Sequence, residues 1–291
     1  MKKVTKAVIP AAGLGTRMLP ISRTVPKEIL PIVDRPSMEY LVREAVEAGI
    51  TDILIITGRN KEVIENYFDY SVEYMDVLEK KGKEKELSDI REVCSLANIY
   101  FLRQKEAKGL GHAVLCARSF VGDEPFAVLY GDDVMVADTP VTKQLTDVYE
   151  KHGLGVAGVC RVPREDLKKY CSLKVEHLES NLYKTTDMIE KPKTEEEMFS
   201  NLSILGRVVL PSKIFDILEN TENGAGGELQ LTDAMKTLAR TEGMIACEYE
   251  GKRYDMGSKF GFLQANVEEA LKHPEMKDQF REYLKDLAKT L

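Results

Sequence analysis

The sequence predicts an α/β fold: a mixed, mostly parallel central sheet flanked by helices, with a C-terminal helical arm. Three observations carry this reading. Short β-rich apolar runs alternate with stretches of helical periodicity, the pattern of right-handed βαβ crossovers. The first of these runs leads into a glycine-rich turn, Ala7-Val-Ile-Pro-Ala-Ala-Gly13-Leu-Gly15-Thr-Arg17, as in Rossmann-like sheets that bind ligands beyond the carboxyl ends of their strands. The last stretch, from Pro274 on, carries Met276, Phe280, Tyr283, Leu284 and Leu287 at helical spacing.

In chain order, Lys6 to Ile9, Ile53 to Thr57, Ile99 to Leu102, Phe126 to Tyr130 and Val156 to Val162 read as strands. Between them Met38 to Ala48, Lys61 to Phe68, His112 to Arg118 and Val141 to His152 read as helices. The charged segment from Asp69 to Asn98 reads as an exposed helical insertion whose charges form a solvated face. Beyond Val162 the alternation loosens. Leu173 to Glu176, Leu182 to Ile189 and Ile204 to Leu210 read as strands without full-length helices between them, which predicts antiparallel pairs around a second pocket. Gly224 to Gly227 reads as an ordinary turn or a lid before a helix starting near Thr232. Pro274 opens the final helix, whose apolar face packs on its own domain or clasps a second subunit. No internal repeat and no glycine- or serine-rich linker interrupts the chain, so one domain is expected over 1–291.

Composition removes several function classes. With 43% hydrophobic residues the chain can fill a core. Its 48 acidic and 41 basic residues leave a net charge of -7, which argues against a nucleic-acid surface made by bulk charge, so anionic ligands must meet local cations. The five cysteines, Cys94, Cys116, Cys160, Cys171 and Cys247, form no Cys-x-x-Cys pair; neither a disulfide framework nor a zinc site is indicated, and a reducing cytoplasm fits. No apolar run has transmembrane length and the chain starts toward a strand rather than a secretory core, so no membrane partner is expected. The four histidines show no ligand spacing; only His112 lies beside a motif.

The glycine turn is where a backbone approaches a phosphate closely. Arg17 closes it and Lys27 follows in Pro26-Lys27. A Walker loop would need Lys-Ser/Thr straight after its last glycine, and the dinucleotide fingerprint a third glycine where Met18 stands. An open phosphate clamp remains. Val128-Leu-Tyr-Gly131-Asp132-Asp133 ends a second strand in carboxylates at the same sheet edge, and carboxylate beside phosphate asks for a metal. Magnesium takes one or two carboxylates plus phosphate oxygens and water, and the best second carboxylate is Asp255 in Lys252-Arg-Tyr-Asp-Met-Gly257. Each aspartate alone fits a cap or turn equally well. Glu190-Lys191 form either a surface ion pair or a clamp in which Lys191 holds a sugar phosphate and Glu190 the hydroxyls of a polyol. Gln104 has both donor and acceptor for a nucleobase edge, and Gly109-Leu-Gly111 opens a helix where backbone can lie flat against a base or ribose.

These residues in this order resemble the sugar nucleotidyltransferases, most closely the bacterial UTP:glucose-1-phosphate uridylyltransferases, over nearly the whole chain. The matching runs are Pro10 to Arg17, Pro26 to Pro31, Arg103 to Glu106, Gly109 to Cys116, Gly131 to Asp133, Glu190 to Pro192, Gly224 to Glu228 and Arg253 to Gly257. The resemblance implies that uridylyl passes from UTP to glucose 1-phosphate by direct in-line attack with Mg, giving UDP-glucose and pyrophosphate. It implies that Ala11, Ala12, Gly13 and Gly15 meet the nucleotide, that Gln104 and Gly109 contact the base, and that Arg17 and Lys27 steady the triphosphate. Asp132 also meets the nucleotide and with Asp255 holds magnesium; Glu190, Lys191 and Gly206 serve the sugar phosphate, with Arg17, Lys27 and Lys191 the catalytic cations. Residues 1–162 are then mainly the nucleotide-binding part, 163–258 mainly the sugar-phosphate part, and 259–291 C-terminal helices that join a homodimer or homotetramer.

Two departures stand out. Cys171 follows Tyr170 where the family commonly has glycine, which would narrow or reshape the sugar pocket. Asp255-Met-Gly-Ser258 replaces the usual Asp-Val-Gly-Asp, keeping the presumed ligand but altering its surroundings. The same constellation accommodates dTTP or another hexose 1-phosphate. A non-catalytic nucleotide-sugar-binding regulator is the reading from another class, and retention of Arg17, Lys27, Asp132, Asp255 and Lys191 together argues against it.

Overall fold

The computed structural model describes residues 2–290. Its strands and helices follow in chain order as β1 (Lys6–Pro10), β2 (Pro31–Ile32), β3 (Arg35–Pro36), α1 (Ser37–Glu47), β4 (Asp52–Thr57), α2 (Glu62–Phe68), α3 (Val72–Lys80), α4 (Glu84–Cys94) and β5 (Asn98–Arg103). The middle of the chain supplies α5 (Leu110–Leu115), α6 (Arg118–Val121), β6 (Phe126–Leu129), β7 (Asp133–Val136), α7 (Val141–His152), β8 (Gly155–Arg161), β9 (Cys171–Glu179), β10 (Leu182–Glu190) and β11 (Leu202–Leu210). It closes with α8 (Ile214–Glu219), α9 (Leu231–Thr241), β12 (Met244–Glu248), β13 (Lys252–Asp255), α10 (Lys259–Ala270) and α11 (Lys277–Ala288).

Nine strands form one sheet in the order β5-β4-β1-β6-β11-β8-β12-β10-β9. The pairings of β1 with β4 and β6, of β4 with β5 and of β12 with β8 are parallel; β11 and β10 run against their neighbours. The sheet is thus mixed and mostly parallel, as expected, and its antiparallel strands fall in the second half of the chain. Both faces are buried, and the sequence shows why. Along β1, Ala7 and Ile9 enter one hydrophobic cluster and Val8 the other; along β4, Ile53 and Ile55 oppose Leu54 and Ile56. A strand covered on both sides reads as an unbroken apolar run. One cluster lies under α1 and α7, the other under α5, α8 and α9.

Some elements differ from expectation. The helix predicted over His112 to Arg118 starts at Leu110 and breaks after Leu115, where Ala117 begins a new short turn into α6. Pro274 does not open the last helix; α11 starts at Lys277, and Leu291 lies outside the described residues. The strand β12 was not expected, because Met-Ile-Ala-Cys-Glu is short and poor in β-branched residues, although four of its five positions are buried. Apart from the main sheet, β7 pairs with β13 antiparallel, Asp255 standing opposite Asp133. The insertion does carry α3 and α4, pinned by the buried Leu78 and Leu87. No residue of α11 is buried.

Candidate active site

The glycine turn leaves the end of β1 beside the ends of β4 and β6, and buried groups root it there. Ala11 donates its N–H to the Ile56 carbonyl at 2.8 Å, and its own carbonyl accepts from Lys61 Nζ. Lys61 is in turn paired with Glu28 at 2.8 Å, both side chains almost wholly buried. Burial raises the Glu28 carboxyl and lowers the Lys61 ammonium despite their mutual attraction. Both backbone groups of Ala11 are thus engaged within the protein, which roots the turn on β4 and on Lys61. Beyond Ala11 the turn is open: a Cβ on Gly13 would meet nothing within 4 Å.

Two carboxylates and two cations converge next to this turn. The β7–β13 ladder brings the chain at residue 255 to that at residue 133, and the Met256 N–H donates to the Asp132 carbonyl at 2.8 Å. Arg17 therefore reaches both acids, Asp255 at 2.9 Å and Asp132 at 3.4 Å, while Lys27 Nζ lies 2.5 Å from Asp132. Burial disfavours the Asp132 carboxylate, but the Lys27 charge, then Arg17, outweighs it and holds the group below its ordinary range. Its neighbour behaves oppositely. Burial pushes Asp133 up to about 6 against the pull of Arg253, whose guanidinium is 2.6 Å away. Arg253 also donates to the Tyr170 hydroxyl at 3.3 Å and lies over that ring, tying the acidic centre to the loop before β9.

Around this centre lie two adjoining cavities that share Leu110, Tyr130 and Asp132. The first, about 420 Å³, is lined by Ala12, Gly13, Gly15, Lys27, Gln104 and Gly109 among others. The second, about 930 Å³, has Arg17, Cys171, Glu190, Lys191, Thr232 and Asp255 in its walls. Glu190 ends β10 and accepts from the Thr232 hydroxyl at 2.8 Å; burial raises its carboxyl above the usual range. Lys191 follows with φ 49°, its N–H given to the Tyr170 carbonyl at 2.7 Å. Among the described residues no carboxylate pairs with its ammonium, which leaves a free cation at the cavity wall.

The residues singled out from sequence are thus gathered around one cleft, with two exceptions of position. Ala11 lines neither cavity, and Gly206 lies behind the second cavity's wall, which Ile204 and Leu205 supply. Gly206 has φ 75°, in the left-handed region, and a Cβ there would come within 2.8 Å of the Asp133 Cβ, so backbone conformation and packing both favour glycine. Sequence reasoning missed the buried ion pair beneath the site. Arg207, on β11, donates to Glu44 of α1 at 2.6 Å and to the carbonyls of Gly206 and Asp133 at 2.8 and 2.9 Å. Glu44 also accepts from the Thr142 N–H and hydroxyl. A charge at each end of a 163-residue separation leaves no local signal. Asp133 and Arg253, by contrast, stood in quoted motifs without a role.

The two carboxylates, bridged here by Arg17, suit a hard divalent cation by their chemistry. A Cβ on Gly257 would lie 2.5 Å from Arg17 Nη2, 2.7 Å from Asp132 Oδ2 and 3.0 Å from Asp255 Oδ1, so these charged tips close on one point that no side chain can enter without displacing them. Among the described residues no cluster of three or more His, Cys, Asp or Glu could hold a metal; an ion here would complete its shell with phosphate oxygens and water.

Fold and site define a nucleotidyltransferase, and comparison with known proteins agrees. Residues 6–272 match the nucleotidyl transferase family model, and the chain belongs to that family. It is 51% identical over 288 residues to the UTP--glucose-1-phosphate uridylyltransferase YngB of Bacillus subtilis, covering 99% of this chain and 97% of the relative. A UTP--glucose-1-phosphate uridylyltransferase of Staphylococcus epidermidis is 49% identical, with 99% of each chain covered. Among solved structures, a UTP-bound UGPase from Acinetobacter baumannii superposes with a TM-score of 0.90 at 39% identity, over 98% of this chain and 99% of that one. A UDP-glucose pyrophosphorylase complexed with UDP-glucose gives 0.85 at 42% identity, over 93% of this chain and 100% of that one.

Proposed function

We propose that this chain transfers the uridylyl group of UTP to glucose 1-phosphate, forming UDP-glucose and pyrophosphate. The observation that carries the reading is the convergence of Arg17, Lys27, Asp132, Asp255 and Lys191 on two joined cavities of suitable size for a nucleotide and a sugar phosphate. The names of the similar uridylyltransferases support the same substrates.

In this reaction a phosphate oxygen of glucose 1-phosphate attacks the α-phosphorus of UTP. The new P–O bond forms as the α–β bridge breaks and pyrophosphate leaves. The attacking phosphate is largely dianionic at neutral pH, its second pKa being about 6, so the chain supplies no general base. Its work is alignment of two polyanions and cancellation of their repulsion. Ala12 to Gly15 present backbone to the nucleotide, Gln104 and Gly109 face the base, and Arg17 and Lys27 release their carboxylate partners to take triphosphate oxygens. Lys191 holds the sugar phosphate as a point charge and Glu190 the sugar hydroxyls. Asp132 and Asp255 would hold a magnesium ion, which when bound supplies charge neutralisation at the phosphates.

The free thiols support a reducing cytoplasm, and the exposed apolar side chains of α10 and α11, Phe260, Leu263, Tyr283 and Leu287, support a homodimer or homotetramer. The test is pyrophosphate release measured with UTP, CTP and dTTP against glucose, galactose and N-acetylglucosamine 1-phosphates, with and without magnesium. Turnover that needs UTP, glucose 1-phosphate and the metal together is expected. Binding of UDP-glucose without any pyrophosphate release would overturn the enzymatic reading in favour of a silent binding protein.

A further inference from the structure

Behind the first cavity stands a side chain that the reaction above does not use, His112, in contact with the cavity residue Gln104. Gln104 follows β5, anchored by its N–H to the Thr57 carbonyl at 2.9 Å, and its side chain lines the cavity. The amide Nε2 lies 3.3 Å from the Gly109 carbonyl and 2.8 Å from Nδ1 of His112. A carbonyl only accepts, so the group facing Gly109 is the amide NH₂. Its second N–H then points at His112 Nδ1, and for that contact to be a hydrogen bond Nδ1 has to accept, with the ring hydrogen on Nε2. Both amide donors are consumed. Among the described residues nothing donates to Gln104 Oε1, and that atom is not one of the buried polar atoms left without a partner; it faces the cavity.

The frame around the amide is stiff. Gly109 has φ 101°, and a Cβ on it would strike the Leu229 carbonyl at 2.7 Å. Gly111 donates to that same carbonyl at 2.9 Å, and Leu229 N–H to the Lys108 carbonyl at 2.9 Å. The Gly109 carbonyl already accepts from Ala113 N–H at 3.1 Å, so the shorter contact, to His112, is the one that locks the amide.

We propose that His112 is a positioning residue for base selection: by accepting from Gln104 it turns Oε1 toward the base, so that the site takes a pyrimidine with an N3–H donor, uracil or thymine, and rejects cytosine, whose N3 is an acceptor. The proposal rests on the reading that this cavity takes the nucleobase. Loss of the histidine acceptor frees the amide to rotate and present NH₂ instead.

The experiment compares kcat/KM for UTP, dTTP and CTP, with glucose 1-phosphate, in the wild type, H112L and H112N. Asparagine keeps an acceptor near the Nδ1 position; leucine does not. The UTP/CTP ratio is expected to fall about tenfold in H112L, the worth of roughly one hydrogen bond, with UTP/dTTP unchanged, and to return to within about threefold of wild type in H112N. A merely structural role would depress every nucleotide alike and leave the ratio, and that result overturns the proposal. Wild type that uses UTP and CTP equally also overturns it, whereas wild type that releases pyrophosphate from no nucleotide refutes the underlying function instead. The wild-type ring is read separately by ¹⁵N NMR: the Nε2–H tautomer is expected, and hydrogen on Nδ1 overturns the assignment whatever the variants do.

Discussion

Gly257→Ala is the substitution that probes the charged centre with least disturbance elsewhere. The added methyl would stand 2.5 Å from Arg17 Nη2 and 2.7 Å from Asp132 Oδ2, against an ordinary contact of 3.4 Å, so these tips must retreat by about 0.9 and 0.7 Å. Arg17 is half exposed and can swing away; Asp132 is gripped by Lys27 and cannot move without dragging that cation with it. The backbone at Gly257 is not in the left-handed region and adopts alanine without strain. A misplacement near 1 Å costs on the order of 100-fold in rate, or about 2.7 kcal/mol of transition-state stabilisation. Pyrophosphate release should therefore show kcat/KM reduced by about two orders of magnitude, while thermal unfolding moves by only a few degrees. A folded variant within about threefold of wild type would refute the idea that these charged tips are positioned for catalysis.

Other substitutions separate binding from folding. Gly13→Ala adds a methyl that meets nothing in the protein, so its melting temperature should match wild type while KM for UTP rises about tenfold; an unchanged KM would remove the turn from the nucleotide site. Glu44→Ala strands the Arg207 charge, which is 1% exposed, and should lower unfolding free energy in urea by about 3–5 kcal/mol, with the double variant Glu44→Leu, Arg207→Met less destabilised than the single one. Equal losses would mean that the pair contributes no buried charge cost. Burial, with Glu190 adding, pushes the Cys171 thiol up to about 12, so at pH 8 it stays protonated below that value and iodoacetamide should spare it in the native protein and label it in denaturant. Rapid native labelling, read by mass spectrometry, would contradict this burial.

Local patterns made the fold legible where an element buries both faces or one clear stripe. The helix over Val141 to His152 and the strands from Lys6 and Ile53 stand close to where their apolar spacing put them. The motifs also exposed the cleft, because Asp132, Glu190, Lys191 and Asp255 sit at or just past strand ends, and Gly13, Arg17 and Lys27 in the loop that leaves β1, which the topology brings to one rim. Long-range pairing was invisible. Asp133 begins a new strand after a turn at Tyr130, and nothing local says that this strand pairs with Lys252–Asp255. The same holds for the Lys61–Glu28 and Arg207–Glu44 pairs, whose partners are 33 and 163 residues apart: a charge in an apolar context signals burial with a partner but does not name it. Cys171 illustrates a third case. It was expected to alter the sugar pocket, and the structure gives its sulfur a role in the frame, accepting from the Ile204 N–H at 3.3 Å.

A crystal structure of the chain with UDP-glucose and magnesium tests the shared cleft most directly. The uracil should lie against Gln104 and Gly109, the diphosphate between Asp132 and Lys191, and the glucose hydroxyls on Glu190. A diphosphate bound away from Arg17, Lys27 and Lys191 would contradict the account at its root.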